Sequence, residues 1–125
     1  MIVKQSTRDY AETLNRLIAA IERRGLTVFA RIDHAAGARA AAMELADEEV
    51  VLLGNPRSGT PLMQADPTVG IELPLRVLVW RGPDAVLLGY RDPRELDGTY
   101  ELAANREILE QMAALLDSLL SEAAG

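Results

Sequence analysis

The single imidazole of the chain, His34, follows Asp33 at the end of an alternating run, LTVFARID. At a strand end it could serve as a general base or as a hydrogen-bond donor to a ligand. It could equally cap the short helix that follows, or satisfy a loop carbonyl. The second concentration of candidates is GNPRSGTPLMQADPTVGIELPLRVLVW, Gly54 to Trp80, which holds Asn55, Pro56, Ser58, Met63 and Glu72. An amide such as Asn55 can bridge loop backbone groups or address a ligand. Met63 offers adaptable apolar surface for a ligand or for core filling. Pro56, Pro61, Pro67 and Pro74 each fix φ and restrict the preceding residue, so the segment is expected to be stiff although irregular.

Most reaction chemistries fail against this inventory. Zinc needs several nitrogen or sulfur ligands, and the chain has one histidine and no cysteine. Asp66, Glu72 and Asp92 could offer oxygen to magnesium or calcium, but their spacing matches no calcium loop, and capping or solvated roles suit them better. Ser58 lacks the flanking glycines of a nucleophile elbow. GNPRSGT carries Arg57 but neither the lysine nor the glycine spacing of a P-loop, and only weak anion binding by turn N–H groups is left. No metal, cofactor or catalytic set is assigned.

Composition narrows the class further. A chain of 125 residues, 49% hydrophobic and 26% charged, suits one folded domain. Its 13 basic and 19 acidic residues give a net charge of −6, the wrong sign for nucleic acid or an anionic membrane. The N-terminal MIVKQSTRDY has no signal-like apolar run, and VVLLG from Val50 falls far short of the roughly 20 residues of a membrane span. With no cysteine, a cytoplasmic protein is expected.

The elements that must position these residues follow from periodicity. MIVKQ reads as a strand. Tyr10, Leu14, Leu17, Ile18 and Ile21 recur at helical spacing, with Ser6 or Thr7 as cap and Gly25 as the left-handed stop. LTVFARID alternates as a half-buried strand, with Leu26, Val28, Ala30 and Ile32 on one face. HAAGARAAAMELA suggests a short helix from about Ala35, and EVVLLGNP a strand covered on both faces. Two more strands flank Gly82, Pro83 and Asp84. A long helix ends the chain, its leucines at 115, 116, 119 and 120 numerous enough for a dimer contact, its SEAAG tail free to fray. The expected fold is α+β in the order β-α-β-(short α)-β-β-β-α, an antiparallel sheet of about five strands with two main helices on one face.

RIDHAAGA (31–38), LLGNPRSGTPLMQADPTVGIELPLRVLVW (52–80) and YRDP (90–93) together resemble domain of unknown function family 302 over most of the chain. The resemblance implies a TATA-binding-protein-like α+β fold with a curved antiparallel sheet, in a prokaryotic domain often seen as a dimer. It implies no activity. Position by position it singles out His34, Gly54, Asn55, Pro56, Leu62, Met63, Leu73, Pro74 and Leu75. Where the family commonly has aspartate this chain has Glu72, whose longer reach argues against a rigid metal or proton-transfer role. The resulting expectation is one domain, residues 1–125, binding a small, partly apolar ligand between the sheet and the 54–74 segment through His34, Asn55, Pro56, Met63 and Glu72. A shared site requires His34 within about 10 Å of Asn55. The alternatives are a homodimeric structural or regulatory domain in which the 54–74 segment forms the contact, and a hydrolase or isomerase with His34 as base.

Overall fold

The computed structural model describes every residue from Met1 to Gly125. Five β-branched and aliphatic segments, β1 (Ile2–Gln5), β2 (Thr27–Asp33), β3 (Glu48–Gly54), β4 (Leu75–Arg81) and β5 (Val86–Tyr90), form one antiparallel sheet of order β1-β5-β4-β3-β2. The β4–β5 turn closes where expected, with Gly82 N–H donating to Ala85 O at 2.8 Å.

Side chains alternate across this sheet. Val51 and Leu53 of β3, Val77 and Val79 of β4, and Val86, Leu88 and Tyr90 of β5 are buried beneath two helices, α1 (Tyr10–Arg23) and α4 (Arg106–Ala124). α1 adds Leu14, Leu17 and Ile21 to this core, and α4 adds Leu116, Leu119 and Leu120. Three of the four leucines read as a dimer surface are therefore core, and Leu115 is half-buried at its edge. The SEAAG tail is likewise docked: Ala123 and Ala124 are buried, and Ala124 O accepts from Thr7 N–H at 3.0 Å. Asp9 caps α1, accepting from Glu12 N–H at 2.8 Å. Ser6 is unavailable for that task because its hydroxyl is buried against Thr13 Oγ1 at 2.6 Å. Gly25 follows α1 at φ 71°, the left-handed conformation that glycine adopts without a Cβ clash.

Two features depart from the periodicity. A bulge between Val28 and Ala30 inserts Phe29 into β2, so that Val28 shares the helix-covered face with Leu53 while Ala30 and Ile32 face the other way. Strict alternation cannot survive an extra residue. The second is a helix, α3 (Pro56–Ala65), followed by a 3-10 turn (Pro67–Glu72), inside the segment read as irregular. Pro56 sits at the first helical position, where its missing N–H costs nothing, and Pro61 removes only one internal bond. α2 (His34–Ala40) completes the set. No helix is long and apolar enough to cross a membrane.

The sheet face opposite α1 and α4 carries Val3 (45% exposed), Ile32 (46%) and the half-buried Val50, Leu52, Leu78, Trp80 and Leu87. On the covered face Glu49 is 5% exposed and accepts from Arg31 Nε at 2.6 Å. Removing the cation strands a buried carboxylate, a change that costs about 3–5 kcal/mol in a dry site and less where water reaches the partner. Arg31 is 43% exposed at its side chain. Urea denaturation is expected to show Arg31→Met losing about 2 kcal/mol, against less than about 1 kcal/mol for Arg106→Met, which breaks the exposed pair with Asp97. Equal losses would show that Glu49 behaves as a surface group.

Candidate functional site

β3 ends at Gly54, and the chain turns directly into α3. Asn55 makes the junction: its Oδ1 accepts from Arg57 N–H at 3.0 Å, while its backbone carbonyl accepts from Ser58 and Gly59 N–H at 3.0 and 3.1 Å. α3 and the following 3-10 turn are then held down by Leu62 and Val69, both fully buried against Leu102, Leu109 and Met112. Asp66 ties the far end. Its Oδ1 accepts from Thr68 N–H and Oγ1–H at 3.0 and 2.6 Å, and its Oδ2 accepts from Glu101 N–H at 3.0 Å. Arg76 donates to Ile71 O at 3.2 Å, and the chain re-enters the sheet through a cis Leu73–Pro74 peptide.

The result is a wall standing off the sheet end, with a cavity of about 460 Å³ behind it. Its lining includes Leu53 and Met112 from the core and the half-buried Leu75 and Leu115. Phe29 and Leu52 line it from the sheet, and Met63 and Leu73 from the wall. A Cβ on Gly59 would lie 3.6 Å from Leu73 Cδ1 and one on Gly70 would lie 3.5 Å from Met63 Sδ, both ordinary van der Waals contacts, so the wall has room for a side chain at either position. The polar lining consists of Asn55, Ser58, Thr60 and Gln111. None of the lining residues is ionisable. General acid–base chemistry has no group to work with there.

Three of the five expected site residues, Asn55, Pro56 and Met63, line this cavity; His34 and Glu72 do not. His34 is exposed at the first position of α2, where Asp33 caps instead by accepting from Ala36 N–H at 2.8 Å. Asp33 pairs with Glu49 at one end of β3, whereas Asn55 follows Gly54 at the other. Five residues at about 3.3 Å each separate the two ends by roughly 17 Å. The distance required for a shared site is exceeded. Glu72 lies beside Tyr100, whose phenol is pushed up first by burial and then by the Glu72 carboxylate.

Ionisable groups gather at the His34 end instead. Tyr10 is pushed up to about 12, chiefly by burial and then by Glu49, Asp33 and Asp47. Asp66 and Asp92, considered above as oxygen ligands, cap the turns that begin at Pro67 and Pro93. Periodicity places Met112 on the apolar side of the last helix, but it does not flag Phe29 or Gln111. The bulge that frees Phe29 has no sequence signature, whereas Gln111, Met112 and Leu115 share one edge of α4 by i, i+1, i+4 spacing.

The whole architecture recurs in the crystal structure of the uncharacterized conserved protein DUF302 from Bacillus stearothermophilus, with a TM-score of 0.87 over 98% of this chain and 96% of that one. At 18% identity that likeness shows the fold. Residues 2–121 match the domain of unknown function DUF302, and the chain belongs to that family. Among curated proteins it is 37% identical over 109 residues to the fluoride-specific ion channel FluC 1 of Brucella suis biovar 1 and to FluC 2 of Brucella melitensis biotype 1. The matched region covers 86% of this chain but 43% and 40% of those proteins, so the chain spans about two-fifths of their length.

The Asp66 carboxyl lies below its ordinary value because the Thr68 hydroxyl, then the Glu101 and Thr68 N–H groups, favour its charged form. A depressed pKa contributes stability that is present above the unfolded value and lost as pH falls through the folded one. Asp66→Asn is therefore expected to lower Tm at neutral pH, with the gap to the wild type narrowing below about pH 4. A gap that stays constant into acid would mean that the charge does not hold the wall.

Proposed function

We propose that the chain is a single, cytoplasmic domain that binds a small, largely apolar ligand in the cavity between the sheet and the Asn55–Pro74 wall, without transforming it. The observation that carries this reading is the lining: a cavity of about 460 Å³ with a floor of leucine and methionine, a few uncharged polar groups and no ionisable side chain. That volume lies within the range of small-molecule sites. An exposed histidine roughly 17 Å away gives no support to a hydrolase or isomerase. The Brucella relatives are named as fluoride channels, but a bare anion would find no cation in this lining.

Fluorescence of the neutral probe N-phenyl-1-naphthylamine is expected to rise on binding. In Gly59→Leu, a new side chain at the wall occupies the cavity without straining the helix, and the affinity is expected to fall by at least about tenfold. Circular dichroism should remain that of the wild type. Undiminished binding in this variant, or no binding by the wild type, would remove the reading.

The open sheet face favours a second role, homodimerisation. Half-buried Leu52, Leu78, Trp80 and Leu87 beside exposed Val3 and Ile32 form an apolar surface of the kind that marks interaction sites. In this reading the contact lies on the sheet rather than on the 54–74 segment. Sedimentation should show a dimer for the wild type and a monomer for Leu78→Glu, with the cavity still binding the probe. A monomeric wild type at micromolar concentration would end this second reading.

A further inference from the structure

The polar groups at the cavity are more selective than its apolar floor. The Asn55 side chain carries one acceptor and two donor hydrogens. One of the two lone pairs of Oδ1 is taken by Arg57 N–H. What Asn55 keeps wholly free is its pair of Nδ2 donors. The backbone around it is similarly committed, since Ser58 and Gly59 N–H both bond to Asn55 O and Pro56 has no N–H. Free donors on this side of the lining are therefore the Asn55 amide and the hydroxyls of Ser58 and Thr60.

From this geometry we infer that the cavity takes an uncharged molecule with a carbonyl-type acceptor head, such as an ester or ketone, seated with its head at Asn55 and its apolar tail over Leu53 and Met112. The inference rests on the ligand reading above and specifies the class of ligand. A carboxylate head would exchange its water for neutral donors with no cation in the lining, and an ammonium head would meet no carboxylate. An ester carbonyl loses far less hydration and gains the donors that are free. Asn55 is exposed, at the mouth, whereas Leu53 and Met112 are buried, which sets the direction of entry.

Displacement of N-phenyl-1-naphthylamine by methyl decanoate, decanoate and decylamine at neutral pH tests the inference. The ester is expected to compete at concentrations at least about tenfold below either ion. Asn55→Asp keeps the helix cap, because aspartate accepts from Arg57 N–H as asparagine does, but replaces the donors with a carboxylate. In this variant the ester should weaken by about tenfold or more while the probe, which has no carbonyl, binds nearly as before. Equal or better competition by decanoate or decylamine overturns the inference and leaves the ligand reading intact, as does an ester affinity unchanged in Asn55→Asp. A probe that fails to bind the wild type overturns both.

Discussion

One helix is buried against two separate apolar surfaces, and the rest of the molecule is arranged around that fact. The C-terminal half of α4 places Leu116, Leu119 and Leu120 in the core under the sheet, while its N-terminal half places Leu109 and Met112 against Leu62 and Val69 of the wall. α4, continuous across both, joins the wall to the sheet core, and Leu75 of β4 packs against both clusters beside it. The space left between them, lined by Met112 and Leu115 where one contact gives way to the next, is the cavity.

Charge is sorted along β3 in the same way. At its N-terminal end lie Glu49, Asp33 and Asp47, which with burial raise the Tyr10 pKa, and Arg31, which pairs with Glu49 and opposes that rise. At its C-terminal end the chain passes into Asn55 and Pro56, and the lining holds no ionisable group. A low-dielectric, uncharged recess tolerates apolar matter and penalises an unpaired ion. This division leaves the cavity lining without a group for proton transfer and sets the one histidine apart from it.

Part of the site was legible from residue types alone. Asn before Pro after a buried strand marked a junction, and Asn55, Pro56 and Met63 all reach the cavity. Asp66 and Asp92 suited capping, and both cap. The prolines around Met63 concealed α3, because proline is a helix breaker in the interior but neutral in the first turn, and that difference depends on where the helix begins. Phe29 was misplaced for a similar reason. A bulge is set by pairing with β3, which alternation within β2 does not report.

The sequence by itself determined the elements: five strands, the two long helices and the stop at Gly25, each legible because hydrophobic period and turn chemistry act within windows of about ten residues. It also determined the absence of thiol chemistry. Which strand ends meet was decided only by tertiary structure. His34 and Asn55 each follow a strand and looked alike in the sequence, yet antiparallel pairing of β2 with β3 sends their C-terminal ends to opposite ends of the paired strands. The wall and the histidine are therefore a strand's length apart, and the pocket belongs to the asparagine.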